Sequence, residues 1–230
     1  MPSTLPLLLE LGTEELPSSF VDAALAAIPR IVADELAQVR LSHGEVRALG
    51  TPRRLVALVS GVAAKQLDLD EEVIGPPEAA AYKDGQPTRA AEAFAAKVGV
   101  SVSALSIVEK PAGPKQRPGR YVVGRRVESG RPAMGLLAGA LQRVCAAIPF
   151  KKAMRWGDLD VTFGRPLQWI VALFGEEVVG LSYARTPSGR RSRGHRFLAP
   201  GEFDVESPET YVAQLRRATS SSTAPSANAR

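Results

Sequence analysis

Cysteine occurs once in the 230 residues and histidine twice. The single Cys145 excludes an internal disulfide, and its apolar helical surroundings read as core. His43 and His195 lie far apart, with no Cys/His pair at metal-ligand spacing and no nucleophile–base pair that a sequence can support. Neither a Walker A pattern nor a Gly-x-Gly-x-x-Gly after a strand is present. No apolar run reaches membrane-spanning length, and no basic region followed by a signal-type apolar stretch opens the chain. The expectation is a protein of the cytoplasm without membrane contact. No internal repeat is visible.

What is there is a chain with 45% apolar residues, enough for one large domain or two small ones. Its net charge of +5 tilts it mildly toward polyanions.

The organising stretch is Leu7–Pro17, Leu-Leu-Leu-Glu-Leu-Gly-Thr-Glu-Glu-Leu-Pro. Its first half suits a strand buried on both faces. Glu10 then sits either at an exposed edge or beside a basic partner. From Phe20 to Val39 the apolar spacing is helical, with Ser18 or Ser19 as N-cap, Asp22 in the first turn and Pro29 as a kink or break. Val46–Val62 reads as two strands around Gly50-Thr51-Pro52. Arg53 and Arg54 beside that bend are either a solvated pair or a positioned anion contact. Glu14 and Glu15, being adjacent, point in different directions on any regular element. They read as charges at a helix start, or as partners for Arg53 and Arg54, rather than as an acid/base pair.

Further on, Gly75-Pro76-Pro77 is expected as a loop and Asp84–Pro87 as a turn. Thr88 should cap a helix through Val98. Ile107–Glu109 and Tyr121–Gly124 read as strands around a basic loop, Lys110–Gly119, and Pro132–Ala147 as a helix. The tract Lys151–Arg196 holds nine basic residues against four acids, and both tryptophans, Trp156 and Trp169. Within it, Leu167–Phe174 and Val178–Tyr183 form an expected hairpin. Thr186–Phe197 has no apolar period. It is either a solvated connection or a glycine-flanked basic loop, with an embedded His195 and a terminal Phe197, that holds phosphates. After Arg217 the chain is small and polar, expected as a disordered tail over 217–230.

The order of these segments resembles the N-terminal part of the β subunit of bacterial heterotetrameric glycyl-tRNA synthetase. The segments are Leu7–Pro17 (with Glu10, Gly12, Thr13, Glu14, Glu15 and Pro17), Thr51–Leu55, Ile74–Pro77, Pro87–Ala91, Phe150–Trp156, Phe163–Leu173 and Arg193–Leu198. The resemblance covers residues 5 to about 216, read as one N-terminal region with a sub-boundary between 110 and 150. It implies an α2β2 assembly that joins glycine to tRNA(Gly), with ATP and Mg used at the class II active site of the α subunit and no cofactor on this chain. It further implies a β subunit that binds and positions tRNA and is not itself catalytic. Family members are about three times longer, so the resemblance implies a truncated or frameshifted product, or an isolated fragment.

The tRNA-contact candidates are Arg53, Arg54, Lys151, Lys152, Arg155, Arg190, Arg191, Arg193, His195 and Arg196. An alternative is a scaffold that docks the α subunit or the rest of β without touching tRNA, using Trp and Arg as anchors. A third reading, an independent enzyme acting on a small molecule, would need glycine-dependent ATP–pyrophosphate exchange by this chain alone. The expected architecture is mixed α+β, with short antiparallel strands, hairpins and packed helices, not a parallel doubly wound sheet.

Overall fold

The computed structural model describes residues 3–111, 118–155, 161–197 and 199–220. They divide into two compact units. One is formed by residues 1–66 and 131–230, the other by residues 67–130 inserted between them.

The first unit opens with strand β1 (Thr4–Thr13), helix α1 (Ser18–Gln38) and strands β2 (Val46–Thr51) and β3 (Arg54–Ala63). The inserted unit carries β4 (Leu69–Pro77), the short α2 (Glu78–Ala81), β5 (Tyr82–Lys83), β6 (Gln86–Pro87), α3 (Arg89–Val98), β7 (Ser106–Lys110) and β8 (Gly119–Glu128). The chain then returns to the first unit with α4 (Met134–Ala147), β9 (Leu167–Phe174) and β10 (Glu177–Val178). It ends with β11 (Ser182–Tyr183), β12 (Thr186–Gly189), β13 (Arg191–Arg193), β14 (Glu202–Asp204) and α5 (Tyr211–Ser220).

In the first unit a sheet runs β11-β12-β9-β1-β3-β2, with β10 hydrogen-bonded to β9. Its pairs are antiparallel except β12 with β9. β1 is therefore central, and its residues from Leu7 to Thr13 are all buried. The period-2 alternation of a strand assigns its side chains to two cores. Leu7, Leu9 and Leu11 join a large core with Ile28 and Val32 of α1 and Leu137 and Leu141 of α4. Leu8 faces the other way, against Val56, Val171, Leu173, Val205 and Tyr211. α1 and α4 are also tied by Arg143, whose Nε donates to Glu35 Oε2 at 2.6 Å. Where the chain leaves and re-enters this unit, Gln66 donates its backbone N–H to Arg131 O at 3.0 Å, and its side chain accepts from Arg131 N at 3.0 Å.

The inserted unit is a β4-β8-β7 antiparallel sheet with α3 against it. Phe94 and Val98 pack on Val122, and Gly75 makes room for the Phe94 ring, since a Cβ there would lie 2.6 Å from it. Thr88 caps α3 by accepting from Ala90 N at 3.3 Å, and Gly99 closes it in the left-handed conformation.

The mixed α+β architecture matches the expectation from sequence, and five local readings change. Gly75-Pro76-Pro77 is not a loop but the end of β4, an edge strand, where a missing N–H leaves no ladder bond unmade. α1 begins at Ser18 behind Pro17 with no side-chain cap, and it continues through Pro29 without a break. β9 turns at Gly175 into β10 as read, but Ser182–Tyr183 pairs with β12 through Ala184 and Arg185, both at positive φ as a type I′ turn requires. Thr186–Phe197 is not irregular throughout, because β12 lies parallel to β9 and β13 pairs with β14. α5 carries the chain to Ser220, so 217–220 are helical, while 221–230 lie outside the described residues, as does most of the Lys110–Gly119 loop. The chain passes between the two units at 66/67 and at 130/131.

Cys145 is 1% exposed within the large core, and burial pushes its thiol up to about 12. At pH 8 a thiol reagent such as DTNB should therefore find no reactive thiol in the native protein and one in guanidinium. Rapid reaction of the native protein would show that α4 is not packed as described.

Candidate functional site

The site is built on the second face of β1. Glu10 of β1, Arg54 of β3 and Trp169 of β9 lie on one sheet face, because Gly12 is the register partner of both Arg54 and Trp169 and Glu10 is two residues away. Gly12 is required here: a Cβ at that position would meet the Trp169 ring at 2.0 Å. The ring instead lies flat over the glycine, and its Nε1 donates to Glu10 Oε1 at 2.6 Å.

Glu10 is fully buried, and its charge is met from several sides. Arg54 Nε lies 2.9 Å from Oε1, a Coulombic pair whose N–H is not aimed along the contact. Ser192 of β13 donates its hydroxyl to the same carboxylate at 2.8 and 2.9 Å. Tyr211 of α5 lies behind, also fully buried. Burial, with the neighbouring Glu10 carboxylate second, pushes the Tyr211 phenol far above its ordinary value, against a smaller opposing pull from Arg54. The Arg54 guanidinium also donates to the Arg193 carbonyl, and the Arg54 and Arg193 guanidinium carbons stand 5.7 and 5.0 Å from the centre of the Trp169 ring.

Over this buried cluster opens a cleft of about 770 Å³. Its walls include Glu15, Thr51, Pro52, Arg53, Arg54, Trp169, Arg193, His195, Arg196, Phe197 and Glu202. The Gly-Thr-Glu-Glu turn holds one wall in place: Thr13 N–H donates to Arg53 O at 3.0 Å, Leu16 N–H to Pro52 O at 2.6 Å, and Glu14 N–H to Pro166 O at 3.1 Å. The other wall is the segment after β13. There Phe197 is 78% exposed, its N–H donates to His195 Nδ1 at 3.2 Å, and the Arg196 guanidinium carbon is 5.3 Å from its ring centre.

The residues singled out from sequence therefore separate into groups. Arg53, Arg54, Arg193, His195 and Arg196 converge on the cleft. Arg54 is neutralised by Glu10, and Arg193 by Glu202 at 3.2 Å. Arg53 and Arg196 have no carboxylate partner among the described residues. Arg190 and Arg191 brace the fold. Arg190 donates to Glu176 O at 2.7 Å and Val205 O at 3.4 Å, and Arg191 sits 3.7 Å from Glu202 and 3.4 Å from Asp204. Lys151, Lys152 and Arg155 are exposed and are not among the residues that line the cleft. Glu14 and Glu15 make no ion pair with Arg53 or Arg54 among the described residues, and neither lies in the first turn of α1. Pro17 occupies the N-cap position of that helix.

Sequence reasoning left the carboxylate hub unassembled. Its only signal was a Glu inside an apolar strand. Glu15 and Glu202 as cleft residues carried no signal. Among the described residues no group of three or more His, Cys, Asp or Glu is placed to hold a metal ion, and no helix is long and apolar enough to cross a membrane.

Removing one partner of a buried pair leaves the other charge uncompensated, at a cost of about 3–5 kcal/mol. Glu10→Ala should therefore lower urea stability by about that amount, whereas Tyr211→Phe, which deletes a hydroxyl without a regular hydrogen bond, should cost far less. The raised Tyr211 phenol gives a sign for pH. Its contribution is fully present below the unfolded value of about 10 and is lost as pH rises beyond it. Stability measured from pH 9 to 11 should thus fall more steeply in the wild type than in Tyr211→Phe; parallel curves would contradict the assigned burial.

A family model described as glycyl-tRNA synthetase beta subunit matches residues 7–224. The chain is 46% identical over 215 residues to the glycine–tRNA ligase beta subunit of Geotalea uraniireducens, covering 93% of this chain and 30% of that protein. The corresponding beta subunit of Myxococcus xanthus is 42% identical over 213 residues, covering 92% and 29%, and that of Geobacter metallireducens is 45% identical over 212 residues, covering 92% and 30%. The chain spans about 30% of the length of these curated relatives. With 218 of its 230 residues inside the match, from Leu7 onward, this chain belongs to the glycyl-tRNA synthetase beta subunit family.

Proposed function

We propose that the chain works as part of the β subunit of an α2β2 glycine–tRNA ligase in the cytoplasm, and that its cleft contacts the phosphate backbone of tRNA(Gly). In this reading the α subunit holds the class II active site with its ATP and magnesium, and this chain positions the RNA without catalysing the reaction. The observation that carries it is that Arg53 and Arg196 line one cleft with no ion-pair partner among the described residues. Guanidiniums present several donors to phosphate oxygens, and each phosphate contact releases condensed counterions.

The same cleft supports a second reading, docking of the α subunit or of the remainder of β, because an exposed Phe beside Arg is also the composition of a protein anchor.

The two readings respond differently to salt. Filter binding of tRNA between 50 and 200 mM salt should show affinity falling steeply with ionic strength. Arg53→Ala and Arg196→Ala should each weaken binding severalfold and lower the salt slope by about 1. Arg191→Ala, whose guanidinium is already held by Glu202 and Asp204, should have a smaller effect. Retention of the α subunit in high salt, with no tRNA bound at any salt, would replace the first reading with the second.

A further inference from the structure

The cleft has more than charge in it. Phe197 is 78% exposed on a segment fixed from within by the Phe197 N–H to His195 Nδ1 bond, and the His195 ring centre lies 6.3 Å from that of Phe197. An aromatic ring held in water by its own backbone is a surface for stacking, and every nucleobase has a face that stacks. The Arg196 guanidinium carbon is 5.3 Å from the ring centre, and the same cleft is lined by Arg53, a second cation for a phosphate, and by Glu15, an acceptor without an ion pair among the described residues. The volume, about 770 Å³, falls in the range of about 300–1,000 Å³ that suits a small ligand.

We propose that the cleft takes one unpaired nucleotide. Its base stacks on Phe197, its phosphate lies against Arg53 and Arg196, and Glu15 accepts a hydrogen bond from a ribose hydroxyl or an exocyclic amino group. Glu15 also gives the site direction, since its charge repels phosphate from its own side of the cleft. The inference rests on the proposed tRNA contact for the source of that nucleotide, an unstacked position of an RNA. The recognition chemistry itself would equally hold a free nucleoside monophosphate. RNA readers generally take unpaired bases on aromatic side chains in this way and leave duplex to shape and backbone contacts.

The test uses the full chain and a fluorescein-labelled single-stranded RNA hexamer followed by anisotropy, with unlabelled AMP, a hairpin-free RNA duplex and intact tRNA as competitors. The single strand should bind, and the duplex should compete at least about fivefold less well. Phe197→Ala should weaken the hexamer at least about fivefold, as loss of one stacked base does, while Phe197→Trp retains it. Arg53→Ala should weaken hexamer and tRNA together. Far-UV circular dichroism separates loss of binding from loss of fold, and the exposure of Phe197 makes its replacements structurally mild. AMP competing as well as the hexamer, with no tRNA binding, would uphold the nucleotide pocket and remove the tRNA reading. tRNA binding unchanged by Phe197→Ala, with the duplex matching the single strand, would remove the pocket and leave the tRNA reading in place. Absence of binding to every probe would remove both.

Discussion

A carboxylate in the middle of a central strand is the constraint around which the first unit is arranged. Glu10 has hydrogen-bonded strands on both sides and is fully buried, so it is cut off from solvent. An isolated charge in that position would cost several kcal/mol or more. The fold meets this with Arg54 from β3, the Trp169 indole from β9 and the Ser192 hydroxyl from β13. Each of these comes from a different strand, and Tyr211 of α5 closes the cluster from behind. β13 carries no apolar residue of its own, so this polar junction fixes where it lies, while α5 adds Tyr211, Val212 and Leu215 to the small second core.

From that junction the properties of the cleft follow. Arg54 spends its charge on Glu10 and one donor on the Arg193 carbonyl, which sets the start of the segment leading to His195 and Phe197. Arg193 spends its own charge on Glu202. A basic tract that looks uniform along the chain thus resolves into cations consumed by the fold and cations left facing an open volume. For binding a polyanion only the second kind counts, because a paired guanidinium has to give up its carboxylate before it can release a counterion from a phosphate.

Much of the fold could be read in advance where one period dominates. Leu7 to Leu11 as a buried strand, the Thr88-capped helix and the helix ending at Ala147 all carry local signals strong enough to survive packing. β12, β13 and β14 could not be read. Each is three or four residues long, too short for alternation, and their pairing is dictated by the edge of β9 and by one another. The inserted unit was equally hidden: Ala64-Lys65-Gln66-Leu67-Asp68 at its entry has no proline or glycine to punctuate it. In the site, a basic partner for Glu10 was foreseeable from solvation cost, but the choice of Arg54 over Arg53 depended on the β1–β3 register. A shift of one residue would have reversed the two roles, placing Arg53 inside and Arg54 in solvent.

That reversal shows what the buried pair contributes. Replacing it with apolar residues of similar volume would be close to neutral for stability, on the general behaviour of buried ion pairs. Such a core would leave Trp169 without an acceptor for its indole N–H, Ser192 without its carboxylate and Arg193 without a donor to its carbonyl. The segment that follows Arg193 would then lose the Arg54 bond at its start. An ionic cluster here costs desolvation and gives direction in return: it fixes which arginine is spent internally and which faces outward. Under the proposed function, two outward guanidiniums and one stacking ring supply only a modest, salt-sensitive affinity. A contact of that strength serves positioning best when other parts of an assembly hold the same RNA, since linked weak sites multiply without any of them binding tightly alone.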